Sequence, residues 1–106
     1  MIHSLKCEKQ YFDAVLSGRK SFEVRINDRD FAVGDFLALN EITGDDSMPD
    51  GWAYTERSCL VEVDYILQDE EYLQPGYVCM AIKPCAISRR KNNPNFVKDV
   101  YEVPAY

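Results

Sequence analysis

A chain of 106 residues with 46% hydrophobic content suits one small domain with a modest core. It has no run of roughly 18 apolar residues, and its start, Met1-Ile2-His3-Ser4-Leu5-Lys6, lacks the apolar centre of a signal peptide; neither a membrane span nor export is expected, which points to the cytoplasm. The net charge is −6, with 8 Lys and Arg against 16 Asp and Glu up to Lys83 and 4 against 2 beyond it. Such an acidic body is a poor general magnet for phosphate backbones, so the partners left open are a short or single-stranded nucleic acid held by a local patch, a nucleoside-like ligand, or a basic protein.

In chain order, residues 2–5 read as a first short strand and residues 8–17 as a helix. Tyr11, Phe12, Val15 and Leu16 form one apolar stripe on that helix, and Glu8 near its start suits the helix dipole. The stripe reads as core, with the Tyr11 hydroxyl able to reach a pocket rim. Gly18 is a natural stop for the helix, because glycine accepts the left-handed conformation. Beyond it Phe22, Val24 and Ile26 alternate with Ser21, Glu23 and Arg25, the period of a half-buried strand. The alternation predicts the apolar set against a core. Glu23 and Arg25 would share the outer face, with Lys20 just before them and the Asn27-Asp28-Arg29-Asp30 turn just after.

Val33-Gly34-Asp35 turns the chain into a strand over 36–41. Residues 43–51 read as a loop whose aspartates miss the calcium-loop spacing, so no metal is expected there. Trp52 is read as an anchor of that loop on the core, the other reading being an exposed platform for a base. Residues 58–68 form a strand with Cys59, Val61, Val63, Tyr65 and Leu67 on one face. Asp69-Glu70-Glu71 is a solvated connection, Gln74-Pro75-Gly76 is a turn, and residues 77–83 are the last strand. The expected fold is α+β, a small β-barrel of about five strands with one early helix.

The character changes at Pro84, which divides the chain into a domain over 1–83 and a C-terminal extension over 84–106. The extension carries the basic triplet Arg89, Arg90 and Lys91, a candidate contact for phosphate or an acidic protein beside the plainer reading of a solvated tail. Cys7, Cys59, Cys79 and Cys85 form no C-x-x-C pair and the single histidine is His3; the expectation is reduced thiols, mostly buried, with no zinc site, no thiol nucleophile and no cofactor. Cys79, in an apolar strand, fits burial best.

Gly18, Lys20, Glu23 and Arg25 fit the pattern G-x-K-x-x-E-x-R. With His3, Leu5-Lys6, Tyr11-Phe12-Asp13-Ala14-Val15, the Asn27 to Phe31 run and Val33-Gly34-Asp35, the chain resembles an ASCH domain, a relative of the RNA-binding PUA domain, in a bacterial and phage branch. The resemblance implies a PUA-like barrel with a cleft lined by Lys20, Glu23 and Arg25; Gly18 is a further candidate ligand-binding residue of the signature, and His3 and Arg29 are candidates for the rim. Arg25 can grip a phosphate or carboxylate with two parallel bonds, Glu23 can accept from a base edge or act as a general base, and Lys20 can hold an anion or act as nucleophile or base. The plainer reading of these three charges is a structural ion-pair network.

Some ASCH proteins resemble amidohydrolases that deacetylate N4-acetylcytidine, with a lysine, a threonine and a later glutamate. Lys20 matches, Glu23 stands where the threonine would be, and Glu62, Glu70 and Glu71 are the candidates for the later glutamate. Others resemble ribonucleases. Three functions therefore stand: binding of RNA or a nucleotide by the cleft, hydrolysis of a modified nucleoside or RNA in the same cleft with Lys20 and Glu23 catalytic, and a phage protein-interaction or anti-defence module.

Overall fold

The computed structural model describes residues 1–89, and the candidates Arg90 and Lys91, with the extension from residue 90 onward, lie outside them. The elements in chain order are β1 (Ile2–Glu8), α1 (Lys9–Leu16), β2 (Phe22–Ile26), β3 (Phe36–Gly44), β4 (Trp52–Leu67) and β5 (Tyr77–Arg89). The five strands form one sheet in the order β1-β3-β4-β5-β2. Among the described strands only the β1–β3 pairing is parallel, and α1 supplies part of the crossover that it needs. The described residues are thus mostly β with one short helix, a sheet curled into a half-barrel whose two edges are β1 and β2. β5 continues through Lys83 to Arg89, beyond the end of the last strand expected from the sequence.

The curl follows from irregular pairing. Register shifts interrupt the β3–β4 ladder at Asn40/Ile42 and the β4–β5 ladder at Leu60/Val61 and Val63/Tyr65. Each extra residue bends its strand and increases the local twist. The inner face collects Leu5, Cys7, Leu37, Leu39, Cys59, Val61, Val63, Val78 and Met80, and Phe12 and Val15 of α1 cover it together with Phe31. Of the helical stripe, Phe12 and Val15 are core and Leu16 packs against it half-buried, while Tyr11 is exposed. Ser17 caps α1, and Gly18 follows at φ +79, with its N–H on the Val15 carbonyl at 3.1 Å. That stop turns the chain so that the Lys20 N–H reaches the Ala14 carbonyl at 3.0 Å, which fixes where β2 begins.

Several expectations are corrected. In β2 the apolar set faces outward: Phe22, Val24 and Ile26 are 44%, 46% and 55% exposed, while Glu23 is 3% exposed. The pairing gives the reason, because Glu23 and Arg25 lie opposite Met80 and Val78, both fully buried, and so share their inward face. Trp52 opens β4 opposite Gly44 and is exposed, so it does not anchor the loop in the core. On β4 the shift after Val63 breaks the single face and leaves Tyr65 exposed. Cys7, Cys59 and Cys85 are buried and Cys79 is half-buried, and all four are free thiols.

Candidate functional site: the cleft between the sheet edges

β1 and β2 face one another across the open side of the half-barrel. Two arginines span the gap. The Arg25 Nη2 donates to the Lys6 carbonyl at 2.8 Å, and the Arg29 Nη1 donates to the Ser4 carbonyl at 2.8 Å. These acceptors belong to the free edge of β1, which β3 pairs only on its other side.

Beside this seam lies a cleft of about 380 Å³, lined by residues that include Lys6, Cys7, Tyr11, Lys20, Phe22, Glu23 and Arg25. Glu23 lines it from β2. Its Oε1 accepts from the Lys20 Nζ at 2.5 Å and its Oε2 from the Arg25 Nε at 3.0 Å. The Lys20 Nζ also donates to the Phe22 carbonyl at 2.7 Å. It lies 5.1 Å from the centre of the Phe22 ring and 5.9 Å from that of Tyr11, close enough for cation–π attraction to both. Lys20, Glu23 and Arg25 are thus both an ion-pair network and part of the cleft wall. Glu23 is the positioning member, since it is the least exposed of the three and fixes the two cations on either side.

The remaining candidates separate. Arg29 stands in the neighbouring groove. His3 is buried away from the cleft, with its Nε2 2.8 Å from the Asp35 Oδ2 and its ring edge-on to Phe31. Asp35 also accepts from the N-terminal ammonium at 3.2 Å and from the Ala32 N–H at 3.0 Å. Burial pushes the Asp35 carboxyl upward, but His3, Ala32 and the N-terminus outweigh it and hold it below its ordinary 3.8. Gly18 lines a small hollow behind α1 that also touches Lys20. Arg89 ends β5, where its backbone pairs with Arg57. Glu62 is within 3.8 Å of Lys83 on the sheet, and Glu70 and Glu71 are exposed in the loop after β4; the second carboxylate at the cleft is Glu8.

Cys7 lines the cleft, yet burial first and the Glu23 charge second push its thiol up to about 12. Burial, with Cys7 close by, does the same for Cys59. A second polar cluster was missed entirely. Glu41, 2% exposed, receives Arg57 on both oxygens at 2.9 and 2.8 Å, together with the Thr55 hydroxyl. Arg57 also reaches Asp13 of α1 at 2.9 Å and lies over the Phe12 ring at 4.9 Å. Arg57 first, then the Thr55 hydroxyl, hold the Glu41 carboxyl below its ordinary 4.5 against the effect of burial. The register shift between Asn40 and Ile42, with Glu56 at φ 74, sets Thr55 and Arg57 against Glu41. A positive φ at a non-glycine residue was the one local sign of this bulge, and sequence alone does not print it. Among the described residues no group of three His, Cys, Asp or Glu side chains could hold a metal ion.

A curled five-stranded sheet, with a paired cation–anion–cation floor in the cleft between its edges, defines a small half-barrel of the cleft-bearing kind. The chain belongs to the family described as a domain of unknown function, DUF3850, whose model matches residues 2–82. It is also 48% identical over 40 residues to the "Uncharacterized 12.9 kDa protein in GpA 3'region" of Escherichia phage P2. That match covers 38% of this chain and 37% of the phage protein. No helix among the described residues is long and apolar enough to cross a membrane.

Proposed function

We propose that the cleft binds a nucleoside-sized unit, of RNA or as a nucleotide, and that the domain is an ASCH-type, PUA-like binding module. The observation that carries this reading is the combination at one cleft of two aromatic walls, Tyr11 and Phe22, with Lys20 and Arg25 held on Glu23. A volume of about 380 Å³ lies within the range of small-molecule sites, roughly 300–1,000 Å³. Aromatic faces stack any base, and fixed cations receive carbonyl or phosphate oxygens. The surrounding acidity restricts binding to ligands that enter the cleft.

The test is a two-dimensional NMR titration of the full chain with cytidine, N4-acetylcytidine, a short single-stranded RNA and a double-stranded RNA. Shifts centred on Tyr11 and on Lys20 to Arg29 are expected from at least one of the single-stranded or nucleoside ligands. Silence from all four would remove the reading and direct attention to a protein partner.

One observation favours hydrolysis as a second reading. The Lys20 ammonium meets a buried carboxylate at 2.5 Å inside the cleft, a pairing able to move a proton during attack on an amide. Release of cytidine from N4-acetylcytidine, abolished in Lys20→Ala, would establish it; binding without turnover leaves the module a binder.

A further inference from the structure

The seam opens on its other side into a second groove of about 420 Å³, lined by Ser4, Leu5, Lys6, Arg25, Arg29 and Tyr54. It shares Lys6 and Arg25 with the cleft, so the two hollows adjoin across the Arg25–Lys6 bond. Three of the eight Lys and Arg residues before Pro84 converge here, in a body that is otherwise acidic. Arg25 is already paired with Glu23 at 3.0 Å, whereas the carboxylates facing Lys6 and Arg29 compete weakly. Asp50 lies 3.6 Å from Lys6 and Asp28 lies 3.9 Å from Arg29, and all four side chains are well exposed.

The guanidinium groups are held rather than free to swing. Their anchors, the carbonyls of Ser4 and Lys6, are two residues apart on β1, about 7 Å along the strand. A guanidinium has five N–H donors; the bonds described engage two of those on Arg25 and one on Arg29. Two fixed guanidinium groups at that spacing, with an ammonium alongside, suit a tetrahedral anion lying between them.

We propose that this groove is a phosphate site, taking the phosphate of a nucleotide whose base occupies the adjoining cleft. Resting on the reading of the cleft as a nucleoside site, it narrows the ligand class from nucleosides to nucleotides or a short strand. Arg25 joins the two subsites, Lys6 and Arg29 bind the phosphate, and Tyr54 flanks the exit along which a strand would continue.

The experiment is a titration of the full chain with each of the four ribonucleosides, its 5′- and 3′-monophosphates, a single-stranded tetraribonucleotide and inorganic phosphate. At least one monophosphate is expected to bind about tenfold more tightly than its nucleoside, the effect of one charge-assisted contact at a partly exposed site. In Arg29→Gln that ratio should fall toward one. Lys6→Gln, at an exposed side chain with one distant ion pair, should lower it too, and serves if loss of the Arg29 seam bond disturbs folding. A tetraribonucleotide that binds more tightly than any monophosphate, with affinity falling as salt rises, would place a strand rather than a free nucleotide in the groove. Equal affinity for nucleosides and monophosphates would overturn the phosphate site while leaving the cleft reading intact. Shifts at Ser4, Lys6 and Arg29 with inorganic phosphate, alongside silence from every nucleoside, would keep the groove and remove the cleft reading. No response to any compound would remove both.

Discussion

Glu23 and Glu41 are the most deeply buried carboxylates among the described residues, and both have cations or hydroxyls on their two oxygens. A buried charge without such partners costs several kcal/mol, so each carboxylate fixes where its cations must stand. Cys7 lies between them, opposite Glu41 in the β1–β3 register and beside Glu23 in the cleft. That surrounding disfavours a third negative charge, and it makes the cleft thiol chemically quiet. At pH ~8 iodoacetamide should leave Cys7 and Cys59 of the folded protein unmodified, whereas the urea-unfolded chain should react at the rate of ordinary thiols with pKa near ~8.5. Peptide mass spectrometry reads the result, and rapid labelling of Cys7 in the folded state would mean that its thiolate is accessible and stabilised. The two carboxylates also differ in how visible they were. Lys20, Glu23 and Arg25 sit within one short motif, so their pairing was legible as a charged cluster. Glu41 and Arg57 lie 16 positions apart and meet only because the β4 bulge sets them face to face, which no period in the sequence announces.

At the scale of the element, β2 shows what alternation can and cannot decide. Period two states which residues share a face, not which face is inside. The usual assumption sends the apolar set inward, but β2 is an edge strand paired with β5 alone, and the register puts Glu23 and Arg25 over Met80 and Val78. The inner side of this edge borders the cleft and can hold charges that pair with one another; the outer side is left with Phe22, Val24 and Ile26. Val24→Thr should therefore change stability by less than about 0.5 kcal/mol, as surface substitutions do. Val78→Ala, on the same ladder but fully buried, should cost about 2 kcal/mol. Urea denaturation of both variants measures the contrast, and a core-sized loss from Val24→Thr would restore the opposite facing. The other elements were legible to the extent that their signals were local. Gly18 marked the end of α1, and the apolar stripe of Phe12 and Val15 marked its buried side. The β4 face was readable only from Cys59 to Val63, because the shift before Tyr65 depends on the partner strand.

At the scale of the whole molecule, parts far apart in sequence are tied by charge as well as by the core. Arg25 and Arg29 bind β1 across the seam, Asp35 gathers His3 and the N-terminus, and Glu41 with Arg57 joins the central strands to Asp13 of α1. Asp13, Asp35 and Glu41 all have carboxyls lowered from their ordinary values. A carboxyl with a lower pKa in the folded state than in the unfolded chain binds fewer protons when folded. Its contribution to stability is complete above the unfolded value and is lost as the pH falls through the folded one. For Glu41 the unfolded value is 4.5, so stability should hold from neutral pH down to that region and decline below it. Glu41→Gln keeps the shape but removes the titrating charge from Arg57. It should lower stability at neutral pH by about 2 kcal/mol, less than deletion of a buried partner because the amide still accepts a hydrogen bond. The same variant should lose less on further acidification, since Glu41 no longer takes up a proton on unfolding. Urea midpoints measured at steps from about pH 7 to about pH 3 compare the two curves. Convergence of the variant and the parent at low pH would confirm Glu41 as a source of the acid sensitivity. A constant gap between them across that range would show that the Glu41–Arg57 pair contributes through packing alone, leaving the acid limb to Asp13 and Asp35.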